Sequence, residues 1–285
     1  MAGASTPGGN SSDVDGDGLA NTIDPFSRDA TNGGGTVISA GNSLNFGFDG
    51  NSNNGPVGFG GGLTGVAVNG VTDFEQSLNL NNVGFNTGNG GAVDINNVSN
   101  GDAFINNNSG EFLFQTGVTV ANNVNTLNIQ WQISSPGGDA LGTNFQQLGG
   151  FIGTGDQANY LKFVEISHPE GEFELVLEDG DAIESQSYIQ ADDLFDLPPG
   201  TQVFLNLSID VNSGIATPTA SYNNTSLTGA NIDLSGTAVL DAIRGDHTIN
   251  GQSSGLAIGL YSTNTGASPD DTFSAVFHNV NVSAT

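Results

Sequence analysis

Leu127-Asn128-Ile129-Gln130-Trp131-Gln132-Ile133 decides the fold, because apolar and polar residues alternate strictly along it. Successive side chains of a β-strand point to opposite faces, so this alternation predicts a strand with one buried and one outward face. It places Trp131 in a core between two sheets and Asn128, Gln130 and Gln132 on the outer side. A sugar-stacking role for Trp131 is the less favoured alternative.

Alternation of period two recurs along most of the chain after Val37. In the run 202–211 it predicts an inward row of Val203, Leu205, Leu207 and Ile209 and an outward row of Asn206, Ser208 and Asp210. In the run 172–177 it predicts Phe173, Leu175 and Leu177 inside, with solvated carboxylates outside at Glu172, Glu174 and Glu178. Further runs cover 44–48, 111–120, 160–166, 255–262 and 272–282. Turn clusters separate these runs, and one short helical turn is predicted at 192–197. The pattern predicts one large all-β sandwich rather than several domains.

The charge balance excludes several classes of function. The 285 residues carry 30 acidic and 3 basic side chains, a formal charge of -27. Binding to nucleic acid needs clustered Lys and Arg, whereas Arg28, Lys162 and Arg244 lie far apart. The same deficit disfavours anionic polysaccharides and lipid surfaces. No Cys is present, which excludes disulfides, and no apolar run approaches the ~20 residues needed for membrane insertion.

Such a negative chain favours surroundings that contain salt or bound cations. A secreted or cell-surface location, in saline or marine water, satisfies this requirement. An intracellular protein of a halophile is the alternative. Composition further divides the chain into a flexible segment at 1–12, a calcium-binding repeat and linker at 13–36, and the sandwich at 37–285.

The N-terminal region contains a compact acidic motif, Asp13-Val14-Asp15-Gly16-Asp17-Gly18-Leu19, followed by Asp24. Ca²⁺ prefers six to eight oxygen ligands, and glycine permits the sharp turn between them. The motif predicts one Ca²⁺ held by the carboxylates of Asp13, Asp15, Asp17 and Asp24 and the carbonyl of Leu19. An acidic linker without metal is the alternative. With Ile23-Asp24-Pro25-Phe26 following, the motif resembles the thrombospondin type 3 or dockerin-like calcium repeat.

The body of the chain carries a second resemblance. Residues 151–163, Phe-Ile-Gly-Thr-Gly-Asp-Gln-Ala-Asn-Tyr-Leu-Lys-Phe, resemble a hairpin of concanavalin A-like, laminin-G-like jelly-roll modules of extracellular bacterial proteins. Residues 255–263 and 273–280 resemble the closing strands of that family. The resemblance implies a two-sheet antiparallel jelly-roll sandwich whose concave face or loop rim binds a ligand. It brings no catalytic motif with it.

Sugar sites combine an aromatic face with amide and carboxylate hydrogen bonds. Asp156, Gln157, Asn159 and Tyr160 offer these groups together and are the predicted ligand-binding residues, with a neutral glycan as the ligand. Packing at the start of a strand is the alternative for Tyr160, and the more frequent one. Other candidate stacking platforms are Tyr188, Tyr222 and Tyr261.

Several motif matches point to other chemistry and are disfavoured. Ser253 lies in a G-x-S-x-G match, but a strand follows where a nucleophile elbow needs a helix. Residues 60–65 match G-x-G-x-x-G without a βαβ unit. His168, His247 and His278 lack metal-ligand spacing. Glu172 and Glu174 alternate as the acids of a glucanase do, yet the run is interpreted as a solvated strand.

The sequence therefore predicts a non-catalytic, extracellular calcium-binding module that binds carbohydrate or mediates surface attachment. Its partners would be a neutral glycan or neighbouring modules of a surface protein. The alternative is a structural subunit of an adhesin, filament or surface layer that self-associates with calcium. A glycan-cleaving enzyme is the least favoured hypothesis.

Overall fold

The computed structural model describes residues 13–20, 24–47, 62–66, 83–86, 92–96, 98, 112–137, 146–167, 172–180, 182–191, 193–194, 196–264 and 273–285. The predicted flexible segment at 1–12, and His168, lie outside these residues. The earlier strands are β1 Val37–Ile38, β2 Ser43–Gly47, β3 Gly65–Val66, β4 Val83–Asn86, β5 Ala92–Ile95, β6 Phe112–Val120, β7 Thr126–Ser134, β8 Gln146–Gly153, β9 Tyr160–Ile166 and β10 Glu172–Glu178. The later strands are β11 Ile183–Gln190, β12 Gln202–Asp210, β13 Ile215–Tyr222, β14 Thr225–Thr228, β15 Ile232–Asp233, β16 Thr248–Ile249, β17 Gln252–Ser253, β18 Leu256–Asn264 and β19 Ala275–Ala284. One helix, α1 (Ala238–Arg244), lies between β15 and β16.

Two large sheets form the sandwich. The first sheet has the order β1-β6-β18-β8-β9-β10-β11, with β3 beside β6. The second has the order β14-β13-β12-β7-β19-β5-β4, with β15 beside β13 and β2 beside β19. Among the strands that the structure describes, every pairing is antiparallel except that of β1 with β6. The prediction of an all-β, two-sheet antiparallel jelly-roll sandwich is confirmed.

The core lies between the sheets, where the alternation predicts it. Along β7 the inward residues are buried and the outward ones half-buried, and β12 follows the same pattern. Trp131 is fully buried, and its Nε1 donates a hydrogen bond to the carbonyl of Gly259 across the core, at 2.9 Å. A Cβ at Gly150 would lie 2.0 Å from the Trp131 ring, so this position needs glycine for the close approach. The prediction that Trp131 is a core residue is confirmed.

The outer face of the first sheet is also covered. Phe26, Phe151, Tyr160 and Tyr261 are buried there in a second apolar cluster with Val164, Ile166 and Ala257. Phe26 belongs to the N-terminal segment, which lies across the sheet. The Nε2 of Gln115 donates to the carbonyls of Pro25 at 2.6 Å and Gly155 at 3.1 Å. The stretch 24–35, predicted as part of a linker, therefore packs on the sandwich.

Glycines at the contact allow the segment 24–35 to lie directly against the backbone of the first sheet. A Cβ at Gly117 in β6 would lie 2.0 Å from the Cα of Gly33. Only glycine allows the two backbones to approach at this point. The amide of Gly255 donates to the carbonyl of Asn32 at 2.8 Å, which ties the segment to the chain just before β18.

Helical structure differs from the prediction. The described residues within 192–197 form turns, in which the amide of Leu194 donates to the carbonyl of Ala191. The one α-helix of the described chain is α1, which the period-two pattern did not indicate. Thr237 caps it by accepting from the amide of Leu240, and Gly245 ends it at φ 76°.

Candidate functional site

Three carboxylates of the N-terminal loop converge. One ligand oxygen each from Asp13, Asp15 and Asp17 lies within 4.8 Å of the others. Among the residues that the structure describes, this is the one group of His, Cys, Asp and Glu side chains close enough to hold a metal ion. Like charges at such separations repel one another unless a cation or a proton compensates.

The loop backbone follows from the sequence. The carboxylate of Asp13 accepts from the amides of Gly16 at 2.6 Å and Gly18 at 3.0 Å, and Asp17 accepts from the amide of Leu19 at 2.7 Å. Gly16 and Gly18 have φ of 81° and 96°, a region that other residues rarely adopt. These bonds turn the chain around the three carboxylates.

Asp24 lies fully buried near this cluster. Its Oδ1 accepts from the amide of Phe26 at 2.9 Å, and its Oδ2 is buried without a hydrogen-bond partner. Burial, together with the charges of Asp15, Asp17 and Asp13, raises the pKa of Asp24 to about 7, although the hydrogen bond from the Phe26 amide lowers it. Burial likewise raises the pKa of Asp15. A carboxylate in such a place needs a compensating charge to remain ionised.

The loop is also held against the sandwich. The Nε2 of Gln252 in β17 donates to the carbonyl of Asp17 at 3.4 Å, and the Nδ2 of Asn32 donates to the Oε1 of Gln252 at 2.9 Å. The side chain of Leu19 is buried. Asp13, Asp15 and Asp17 therefore converge in a loop held beside β17, whereas the buried Asp24 is not within the 4.8 Å that joins these three. The role of these carboxylates and of the Leu19 carbonyl as metal ligands stays a prediction.

The turn before β9 holds the predicted ligand-binding residues. The Oδ1 of Asp156 accepts from the amides of Ala158 and Asn159, both at 2.9 Å, so this carboxylate shapes the turn. The Oδ1 of Asn159 accepts from the amide of Gly180 at 2.9 Å. Gln157 is half-buried in the same turn. These bonds serve the turn itself, and ligand binding by these residues stays a prediction.

Tyr160 is only 3% exposed, and its hydroxyl donates to Glu178 at 2.6 Å. Its ring lies 6.4 Å from both the Phe151 and Tyr261 rings. This position agrees with the packing alternative for Tyr160. Tyr222 and Tyr261 are buried as well, whereas Tyr188 is 42% exposed.

The prediction of three solvated carboxylates on β10 is wrong. Glu172, Glu174 and Glu178 are all buried. Glu174 is 1% exposed, and among the described residues neither of its oxygens has a hydrogen bond of normal geometry. Burial and the charges of Glu174 and Glu172 raise the pKa of Tyr188, which places this phenol near the two carboxylates.

A buried cation accompanies these acids on the same face. Lys162 is fully buried, its Nζ donates to the Oε1 of Gln147 at 3.0 Å, and it lies 5.1 Å from the centre of the Tyr261 ring. Sequence reasoning missed this polar row. The alternation gave the side of the sheet correctly, but it contains no information on what covers that side.

The structure gives no support to the G-x-S-x-G match at Ser253 or to a metal-binding role of the described histidines. Ser253 is exposed in β17, and β18 follows it, so no strand–turn–helix elbow forms. His278 shares a 2.7 Å hydrogen bond with the hydroxyl of Ser134, and burial lowers the pKa of His247. No helix among the described residues has the length and apolar character required to cross a membrane.

No family model and no curated protein matches the chain. Among solved structures, a GH43B of the Bacteroides ovatus xyloglucan PUL has a TM-score of 0.47 and 13% identity, over 70% of this chain and 34% of that one. An endo-1,3-beta-glucanase from Streptomyces sioyaensis has a TM-score of 0.44 and 14% identity, over 89% and 95%. Lectin II from Ulex europaeus has a TM-score of 0.43 and 9% identity, over 86% and 99%.

The chain thus spans about a third of the length of the GH43 protein, 34%. Lectins and glycoside hydrolases both occur among the similar structures. At these identities the likeness concerns the arrangement of strands alone and says nothing about activity.

Proposed function

We propose that this chain is a non-catalytic, calcium-binding β-sandwich module that works outside the cell and binds carbohydrate or mediates surface attachment. The single observation that carries the proposal is the acidic loop at Asp13, Asp15 and Asp17 beside the buried Asp24. One oxygen each of Asp15, Asp17 and Asp24 is buried without a hydrogen-bond partner among the described residues. Unsatisfied buried carboxylate oxygens that converge are the donor set that Ca²⁺ prefers.

Calcium would bridge the loop to the sandwich. Asp24 immediately precedes Pro25 and Phe26, which pack on the first sheet. A cation shared by the loop and Asp24 would therefore hold the N-terminal segment in place, since metal-binding energy becomes folding energy in such small sites. The division into a calcium repeat and linker at 13–36 and a sandwich at 37–285 belongs to this proposal.

The extracellular location rests on charge. A formal charge of -27 leaves the folded chain repelling itself, and calcium and salt outside the cell reduce this repulsion. Extracellular calcium modules bind with dissociation constants of about 10⁻⁴–10⁻³ M, and we expect an affinity in this range.

Isothermal titration of Ca²⁺ into the protein tests the calcium site. We expect one site in the wild type and none in Asp15→Asn/Asp17→Asn, with Mg²⁺ binding much more weakly because it needs tighter octahedral geometry. Asp196→Asn/Asp246→Asn is the matched control, since both residues are exposed and distant in sequence from the loop. Unchanged stoichiometry in the loop variant would remove the basis of the proposal.

A structural role in an adhesin, filament or surface layer is the alternative form of this function. Calcium at the loop would then strengthen contacts between modules. Sedimentation velocity with calcium and with chelator separates the two forms. A calcium-dependent rise in mass supports assembly, whereas a monomer in both conditions supports ligand binding.

Glycan cleavage is a second candidate, and the buried acids of β10 favour it. Glycosidases use paired carboxylates in a cleft, and Glu174 is a buried carboxylate beside Glu172 and Tyr188. Release of reducing ends from neutral β-glucans, abolished in Glu174→Gln with the fold intact, would establish this activity. Equal, background-level release by both proteins would leave the non-catalytic function.

A further inference from the structure

The outer face of the second sheet carries an open groove of about 350 Å³. Four neighbouring strands, β13, β12, β7 and β19, contribute its lining. The volume lies within the range of about 300–1,000 Å³ that is typical of ligand sites. No residue of this groove belongs to the calcium loop or to the turn at 156–160.

Register arranges the polar side chains of the groove in two rows. Thr219 pairs with Asn206, Asn206 with Gln130, and Gln130 with Asn281. The adjacent row follows the pairs Thr217–Ser208, Ser208–Asn128 and Asn128–Ser283. With strands about 4.8 Å apart, each row extends roughly 15 Å across four strands. Such a length exceeds one sugar ring and suits a chain of several.

The lining of the groove carries no charged side chain. Its polar side chains are amides and hydroxyls only, although the chain carries 30 acidic residues. The neighbouring acid on β12 is Asp210, which accepts from the amides of Asn212 and Ser213 at the strand end. An uncharged surface of this kind offers no attraction to a cationic partner. Amides and hydroxyls instead supply donors and acceptors side by side, as a polyol requires.

The side chains are held in place before any ligand binds. The Nε2 of Gln130 donates to the Oδ1 of Asn206 at 2.7 Å, and the Nδ2 of Asn206 lies 3.3 Å from the carbonyl of Thr219. On the same strand face, Phe204 is outward and half-buried, two residues before Asn206. An aromatic face beside oriented amides is the usual chemistry of a sugar site.

We infer that this groove is where a neutral polysaccharide binds, lying across the strands along the two rows. The inference rests on the carbohydrate-binding part of the proposed function and assigns it to the second sheet, not to the turn at 156–160. Gln130 and Asn206 hydrogen-bond the sugar hydroxyls, and Phe204 provides a ring for stacking at the edge of the groove.

Affinity electrophoresis in native gels tests this inference. The gels contain soluble starch, β-1,3-glucan or galactomannan as probes, and dextran sulfate as the charged comparison. We expect retardation of the wild type by at least one neutral polymer and none by dextran sulfate. Gln130→Ala/Asn206→Ala should weaken that retardation at least tenfold. Gln202→Ala, on the same outward side of β12 but outside the groove, is the matched control and should behave as the wild type.

A third variant, Gln157→Ala, separates the groove from the turn. If Gln157→Ala loses retardation while Gln130→Ala/Asn206→Ala keeps it, the groove assignment is wrong and the proposed carbohydrate function stands. If the wild type is retarded by none of the neutral polymers, both the groove assignment and the carbohydrate function are overturned. Calcium titration remains an independent measurement. Unchanged fluorescence of the buried Trp131 shows that each variant is folded.

Discussion

The outward residues of β10 and those of β12 obey the same alternation but lie in different environments. On β10, in the first sheet, Glu172 and Glu174 are buried. On β12, in the second sheet, Asn206 and Ser208 are half-buried and line an open groove. Period two therefore reports which side of a sheet a residue occupies. Whether the side chains on that side are buried or solvent-exposed depends on which other parts of the chain pack there. The segment 24–35 packs on the first sheet.

Two phenylalanines on the two outer faces give the largest expected difference. Phe26→Ala removes a fully buried ring from the cluster with Phe151 and Tyr261, and we expect a loss of about 3–4 kcal/mol in the free energy of unfolding. Phe204→Ala removes a half-buried ring, and we expect a loss of about 1 kcal/mol. Urea unfolding in calcium-containing buffer measures both. Equal losses would show that the two faces are equally covered.

Acid titration gives an effect of intermediate size. Glu165 faces the core side of β9, where burial raises its pKa to about 7 although the hydroxyl of Ser135 donates to it at 2.6 Å. Because the pKa of Glu165 is raised in the folded state, its protonated form stabilises the fold. This contribution to the free energy of unfolding is complete below about pH 4.5 and is lost as the pH rises through 7. Between pH 5 and 8, the wild type should lose on the order of 2 kcal/mol more than Glu165→Gln.

Urea unfolding of the wild type and of Glu165→Gln across this pH range gives two stability profiles. Because both proteins contain all the other acidic residues, the difference between the profiles is the effect of Glu165. Parallel profiles would mean that Glu165 is solvated in the native protein. The groove of the second sheet contains no titratable lining residue, so Gln130→Ala should leave the pH profile unchanged.

The smallest effect is expected at the groove itself. Gln130→Ala breaks the hydrogen bond to Asn206, but water can replace it on a half-exposed face. We therefore expect a change within about 0.5 kcal/mol in the free energy of unfolding, measured in urea. A loss above about 2 kcal/mol would mean that the face is as tightly packed as that of the first sheet.

The sandwich core could be predicted from local pattern because burial of one strand face imposes the pattern directly. Trp131 and its inward neighbours on β7 illustrate this. β8 could not be predicted in the same way, since all of its residues are buried and Gly149 and Gly150 interrupt the apolar run. α1 is only seven residues long, too short for a clear 3.6 period, and its evidence lies in the caps at Thr237 and Gly245.

The candidate metal loop was also predictable, because ligands at alternate positions of a short loop converge without help from distant residues. The buried acids of β10 were not. Alternation assigns these acids to the outer face of the sheet, but it records no contact from distant parts of the chain, such as that of Phe26, which packs on the same face.

Lys162 is the one lysine of the chain, and it is fully buried on the outer face of the first sheet. An amine-reactive reagent can reach its Nζ only when that face opens. The rate of acylation of Lys162 therefore measures how often the outer face of the first sheet opens.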